Sequence, residues 1–590
     1  MTRFFKDILR FFLRSITCLF KYNCLIAQLE HLKKSFKNFF KASILSLVVI
    51  VIILLLLTKM DQAFTMMVDL VENQNSKFSL LLSFLFINAL AIVLSHYPIY
   101  TYYAANLNNS RDYTVWHKVL PFNFWPLKKF PAFIYTTNKE STYQPDNWAN
   151  YLRYSIGILI HGVWIHFIIS SFQPNLIFEN FPLPVVKTII YLLLLVPLIA
   201  YIYVKEKFTF YQRTTEKDGT PLPNETLVKN AEKLKIYYKR LGIGYFFVGF
   251  ICLLLLIITI FIANFSPGGF VIMLLTSYAF MFNYVFFRIL RTSSSKVKAT
   301  LESPLLLPIS LFIGLIRYFE KSENYLSLFN FNFIVSIAIL VYSTMASIKG
   351  WGLTNGIPIL LAFFYFYYFI IASLGKYFFV AKKLNLFSTR RFKVLFVASA
   401  ILITLIIISR IFSIETRTHE LDLVENTKFP VNELQFWDSI QKKQNPTLFF
   451  IASHGGGLKA NVWTLNVVNT LQKETQGKLL DNTLALSGAS GGSLGLALYT
   501  GLYREDGLNF DKIQQKIDTL SRQNYTSIDL TFTFGVDSYR KIWPFNQKFR
   551  LRDRPYYAMR KYQNHIEDKT SHILYDTSFR DYWKQAFQKT

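Results

Sequence analysis

Long apolar runs alternate with short polar or basic stretches over the first two thirds of the chain, and that rhythm stops near residue 412. Runs near 42–58, 78–96, 154–172, 184–204, 243–264, 269–288, 329–347, 357–375 and 393–412 each hold 17 or more residues. About 20 apolar residues span a bilayer as a helix, so the pattern predicts about nine transmembrane helices. A tenth stretch, 305–316, is too short to cross and carries Pro308, which reads as an interfacial or re-entrant segment.

After 412 short apolar runs are interspersed with polar residues, the pattern of an α/β fold. Thr447–Ser453 reads as a buried strand, and Val462, Leu465, Val468 and Leu471 fall on helix spacing behind it. A second strand, Thr483–Leu486, leads into a helix of small and apolar residues over 493–503. Three regions result: a basic amphipathic segment over 1–41, a membrane region over 42–412 and an α/β domain over 413–590. In the first of these, Lys6, Arg10 and Arg14 are four apart beside Phe5, Leu9, Phe12 and Leu13, the stripe of a helix lying in the headgroup plane. An ordinary first helix packed on the bundle fits the same pattern. The segment lacks the apolar core and small-residue cleavage site of a signal peptide.

Composition sharpens this picture. Of 590 residues, 52% are hydrophobic and 17% aromatic, too apolar for one soluble domain. The net charge of +28 resembles that of a nucleic-acid binder until its distribution is read. Residues 415–590 carry only +4, and the rest sits in loops between apolar runs. Basic residues crowd the stretches before 42, over 205–242 and over 376–393, whereas 59–77, 173–183, 265–268 and 348–356 hold only Lys59, Lys77 and Lys349. That asymmetry is the positive-inside rule. Nine spans place each rich loop on the cytoplasmic side and send the residues after 412 to the other face. No nucleic-acid motif accompanies the charge, and membrane lipids are the expected surroundings. Tryptophans beside basic residues in 97–153, such as Trp116, Trp125 and Lys128, mark an interface.

Cys18, Cys24 and Cys252 form no metal-binding or redox spacing. His161 and His166, five apart within one predicted span, sit about 140° apart around a helix, which suits internal hydrogen bonding better than a shared metal.

The chemistry lies in two glycine-rich strand-to-helix junctions. The first strand runs into His454-Gly455-Gly456-Gly457-Leu458-Lys459, and the second into Gly488-Ala489-Ser490-Gly491-Gly492. A serine in a G-x-S-x-G turn is exposed at the head of a helix, a nucleophile elbow in which Gly488 and Gly492 remove side chains that would collide. The amides of Gly455, Gly456 and Gly457 can face a developing oxyanion without obstruction. Phosphate-holding and tightly packed glycine turns look alike singly; the two junctions in this order are more specific.

These residues resemble the patatin-like phospholipases, whose oxyanion loop reads G-G-G-x-[KR]-[GA] and whose nucleophile sits in G-x-S-G-G. The resemblance covers about 447–505. It implies a Ser–Asp dyad that hydrolyses lipid acyl esters with no metal or cofactor. Ser490 would be the nucleophile, Gly455, Gly456 and Gly457 the oxyanion loop, Gly488, Gly491 and Gly492 the elbow. Lys459 would position acidic headgroups or cap the loop. Two departures stand out. His454 occupies the place of a common aspartate, and the later D-G-[GA] motif with the dyad aspartate is not found. Asp506-Gly507-Leu508 is the one Asp-Gly after Ser490, and it follows too closely. The aspartate is therefore expected beyond this sequence, in a longer chain whose α/β domain is incomplete here.

An α/β-hydrolase reading competes: His454 and the glycines mimic an H-G-G-G loop, and His565 or His572 follows the serine. Ser490 follows Gly457 by 33 residues, too few for that family. The stretch with Trp543, Phe545, Phe549, Arg550, Arg552 and Arg554 fits lipid headgroups better than nucleic acid. A membrane scaffold or transporter with a silent patatin-like domain is the rival outside the enzymes.

Overall fold

The computed structural model describes residues 22–73, 76–98, 147–173, 183–212, 214, 220–298, 325–349, 355–383, 447–521, 526–537, 557–558 and isolated positions between 397 and 441. It divides into two compact units, residues 1–345 with 353–400, and residues 346–352 with 401–590.

The first unit is helical: α1 (Tyr22–Lys59), α2 (Asp61–Glu72), α3 (Lys77–His96), α4 (Asn147–Phe172), α5 (Leu183–Leu193), α6 (Leu195–Gln212), α7 (Asn224–Ile262), α8 (Pro267–Lys298), α9 (Tyr325–Lys349) and α10 (Gly356–Lys383). Among the described residues seven stretches are long and apolar enough to cross a membrane: 39–59, 77–96, 151–172, 184–212, 224–262, 267–289 and 356–373. They overlie seven of the nine predicted runs. Within α9 the apolar stretch, 332–346, is shorter. The run 393–412 is described only at scattered positions, and the stretch 305–316, residues 1–21 and most of 97–153 lie outside the described residues.

Burial identifies the centre of the bundle. The span in α4 is 72% buried, whereas those in α5–α6 and α7 are 17% and 22% buried and turn apolar side chains outward. That is how a bundle dissolves in lipid: tight packing on the inside, a greasy outer surface. Tyr284 of α8 reaches α4 because position 157 is glycine. A methyl group built there would lie 2.1 Å from the tyrosine ring. The Tyr284 hydroxyl donates to the Tyr154 carbonyl (3.1 Å).

Hydroxyl and amide pairs fasten other helices. Ser46 of α1 donates to Leu94 O of α3 (2.9 Å) and meets the Tyr368 hydroxyl of α10 (2.7 Å). Thr259 and Thr276 join α7 to α8 (2.6 Å). Arg288 donates to Ile92 O (2.7 Å) and to Ser95 Oγ. His161 Nδ1 bonds Gly157 O (2.7 Å) and His166 Nδ1 bonds the Tyr191 hydroxyl (2.6 Å), so each histidine is engaged within the bundle.

Three features depart from the simple alternation of spans and loops. Helix α2 occupies the predicted loop 59–77 and buries Ala63, Met67, Leu70 and Val71. Its Asp69 accepts from Asn355 (2.7 Å), and Asn355 Oδ1 in turn accepts from Ile357 N (2.8 Å), capping α10. The predicted span 184–204 is broken at Leu194, three residues before Pro197, which can give no N–H back to Leu193. The basic stretch 205–242 is mostly helix. It continues α6 to Gln212 and begins α7 at Asn224, just after Pro223. Phe208 stacks on Tyr238 (4.8 Å), and Gln212 donates to the Tyr238 hydroxyl (2.9 Å), binding the two extensions together.

The second unit is built as β1 (Phe449–Ser453), α11 (Gly457–Glu474), α12 (Lys478–Asp481), β2 (Thr483–Gly488), α13 (Gly491–Asp506), α14 (Phe510–Ser521) and α15 (Thr526–Thr531), followed by a π-helical turn over Phe532–Val536. β1 and β2 pair in parallel, with Ile451 opposite Leu486 and Ser453 opposite Gly488. Parallel neighbours need a crossover, and α11 with α12 supplies it. Leu465, Val468, Leu496, Tyr499, Leu502, Ile513 and Ile517 form the core, with Phe449 and Ile451 of β1 packed on it. The other sheet face is open, and Phe450 is 70% exposed. The strand–helix–strand–helix order matches the predicted α/β pattern, but the sheet has only two strands among the described residues.

Candidate active site

Pairing β1 and β2 in parallel brings their carboxyl ends side by side, and both predicted glycine-rich junctions lie there. The Ala489 amide donates to Ser453 O (3.1 Å), extending the ladder one residue past β2. The chain then turns sharply at Ser490 into α13. Ser490 has φ +49° and ψ −121°, a region that residues with a Cβ rarely occupy. A strained serine between a strand and a helix is the geometry of a nucleophile elbow.

The glycines around it are required by contact. A methyl at Gly491 would lie 1.8 Å from Gly457 O, and one at Gly492 would lie 2.5 Å from His454 O. The two junctions are therefore pressed backbone to backbone. A methyl at Gly488 would meet Ser493 at 2.5 Å. On the oxyanion side, a methyl at Gly455 would stand 3.3 Å from Ser490 Cβ, so that glycine is the immediate neighbour of the serine. Gly457 and Gly491 open α11 and α13, and first-turn amides have no acceptor within their own helix. Two positive helix ends thus converge beside one serine, an arrangement suited to an anion forming there.

Ser490, His454, Gly455, Gly456, Gly457 and Lys459 are all exposed. Lys459 lies in the first turn of α11, on the oxyanion side of the elbow. Beneath the loop, Ser453 Oγ meets Thr464 Oγ1 of α11 (2.5 Å) and fixes β1 against the helix that follows it. Gly495 lets α11 and α13 touch, since a methyl there would lie 2.8 Å from Asn461 O. Neither contact is signalled by the glycine motifs, although Gly491, Gly492 and Gly495 share one helix face.

The aspartate of the one Asp-Gly after Ser490 is not near it in space. Asp506 ends α13, about 22 Å along the helix from Gly491 at 1.5 Å per residue. It pairs there with Lys512 (2.7 Å) and Lys516 (2.6 Å), and Lys516 also holds Glu505 (2.9 Å). Burial opposes ionisation of Asp506, but the hydrogen bonds and charge of the two lysines outweigh it and hold the carboxyl below its usual range. Asp506 is a structural anion. His565, His572 and the arginine-rich stretch 543–554 lie outside the described residues.

Among the described residues no group of three or more His, Cys, Asp or Glu could hold a metal. In comparisons with known proteins, no family model, no curated protein and no solved structure matches this chain.

Proposed function

We propose that this chain is a membrane-bound serine hydrolase of the patatin-like kind, cleaving acyl esters of phospholipids or related lipids through an acyl-enzyme on Ser490. The observation that carries the reading is the strained backbone of Ser490 with Gly455 against it. Maintaining such a dihedral costs about 1–3 kcal/mol, and strain of that size at an exposed serine between two helix starts is accounted for by nucleophilic chemistry. Gly457 and Gly491 would offer their amides to the oxyanion, and Lys459 would attract an anionic headgroup. The seven apolar helices keep the enzyme in the membrane with its substrate. The charge distribution supports a catalytic unit on the non-cytoplasmic side, in what we take to be a bacterial plasma membrane.

The remoteness of Asp506 favours a second reading, a membrane scaffold or transporter with a silent hydrolase unit. One experiment separates the two. A fluorophosphonate probe is expected to label the full-length protein in lipid vesicles and to fail on Ser490→Ala. Equal labelling of both proteins, or none of either, would favour the silent unit.

A further inference from the structure

Glycines clear space for close approach but carry no side chain to hold it, so on the hydrolase reading something else must fix Ser490 against its oxyanion donors. We infer that Ser453 and Thr464 do so, as positioning residues that act through the two junctions. Ser453 closes β1 and reaches the elbow with two of its atoms. Its carbonyl accepts from the amide of Ala489, the residue before the nucleophile (3.1 Å). Its hydroxyl lies against the start of α13, where a methyl at Gly492 would come 2.5 Å from Oγ. That same hydroxyl bonds Thr464 Oγ1 of α11 (2.5 Å), the helix whose first residue is Gly457.

Thr464 completes the junction from the other side. It is 5% exposed and lies about two turns into α11. Its carbon side faces α13: a methyl at Gly495 would stand 2.9 Å from Thr464 Cβ and 3.2 Å from Cγ2. The strand that leads into the oxyanion loop, the helix that follows that loop and the helix that begins after Ser490 therefore meet at one pair of hydroxyls.

A hydroxyl pair sets this spacing more tightly than apolar packing does. An O–H···O bond spans about 2.5–3.0 Å, whereas carbon atoms pack at about 3.5–4.0 Å. The Ser453–Thr464 bond thus holds β1 about 1 Å closer to α11 than carbon contact at the same atoms would. A displacement of about 1 Å, even one made far from the chemistry, can slow a reaction about 100-fold. Oxyanion donors act only at hydrogen-bond distance from the developing charge, so the spacing decides whether Gly457 and Gly491 reach it.

The test is the kinetics of fluorophosphonate labelling of the full-length protein in lipid vesicles, over a range of probe concentrations. Wild type is compared with Ser453→Ala, Thr464→Val, Thr464→Ser and Ser490→Ala. The readings are the maximal rate constant, the probe concentration that gives half of it, and the fraction of protein labelled at completion. Ser453→Ala and Thr464→Val are expected to lower the maximal rate constant about 10–100-fold and to leave the half-saturating concentration little changed. Thr464→Ser keeps the hydroxyl and loses a methyl, so its rate constant is expected to stay near that of wild type. A purely structural pair changes how many molecules are folded, not how fast the folded ones react. A reduced labelled fraction at the wild-type rate constant therefore overturns the inference and leaves the hydrolase reading standing. A loss of rate in Thr464→Ser as large as in Thr464→Val assigns the effect to packing at Gly495 and also overturns it. Absence of Ser490-dependent labelling in the wild type removes the hydrolase reading, and the positioning role with it.

Discussion

Ser490 and Asp506 lie at opposite ends of one helix, and their surroundings give them opposite duties. At the start of α13 the serine is exposed and strained. At its end the carboxylate is 3% exposed and held by two lysines. Asp506→Asn removes its charge-assisted bonds to both lysines, at a cost of about 3 kcal/mol, although Lys516 keeps Glu505. Asp506→Asn is therefore expected to speed hydrogen exchange in Phe510–Ser521 by roughly 100-fold while leaving Ser490 labelling intact. The pH dependence follows from the same carboxyl. Its value when folded is lowered, so its contribution is complete above the unfolded value of about 3.9 and is lost as pH falls through the folded one. Protection of α14 amides, taken relative to their intrinsic exchange rates, that falls on acidification in wild type but not in Asp506→Asn would bear this out; parallel curves would contradict it. Asp506-Gly507 reads in sequence as a weak relative of the missing dyad motif. Only the ion pairs reveal its role, because Lys512 and Lys516 meet it through the turn into α14.

Elements show where periodicity suffices as a signal and where it does not. The two strand–helix junctions are legible because glycine and serine at fixed spacing mark them, and the observed strands and helices begin within a few residues of the expected positions. Helix α14 has the same legibility in Ile513, Ile517 and Leu520, a stripe at helical spacing. Helix α2 does not: its 12 residues lie between two strong apolar runs, and its burial depends on neighbours distant in sequence. The helical extensions of α6 and α7 are obscured by their charge. Lys229, Lys233, Lys235, Lys239 and Arg240 read as a cytoplasmic loop, although a helix carries them equally well. The contact between α4 and α8 is equally silent in sequence, since Gly157 gains its meaning only from Tyr284. Gly157→Ala is expected to destabilise the detergent-solubilised protein by about 1–3 kcal/mol, with Tyr284→Ala in the same chain relieving much of that loss. Additive effects in a thermal-stability assay would mean the two residues do not touch.

For the whole molecule, the apolar helices and the small parallel sheet divide the labour between solvent classes. The bundle turns apolar side chains outward from α1, α5, α6 and α7, as a lipid environment demands. Among the described residues the sheet has two strands and leaves Phe450 exposed, whereas parallel sheets in general are covered on both faces. Seven described helices are long and apolar enough to cross a membrane, and the charge-based reading expects two more, at 329–347 and 393–412. Reporter fusions after residues 385 and 420 are accordingly expected to lie on opposite sides of the membrane. Both on one side would overturn the nine-span reading and the side proposed for the second unit. Orientation is read from loop charge because insertion itself responds to charge. The partners of Ser490 depend on how distant segments meet, which composition does not encode.

The length of α7 has a mechanical consequence. Its 39 residues run without interruption from Asn224 to Ile262. The polar half, Asn224–Gly242, rises about 28 Å beyond the apolar half at 1.5 Å per residue. An unbroken helix of this kind is a lever. A tilt of about 10° at its lipid-embedded base would carry its tip sideways by roughly 5 Å. Because Phe208 stacks on Tyr238 and Gln212 donates to it, the extension of α6 would swing with that of α7.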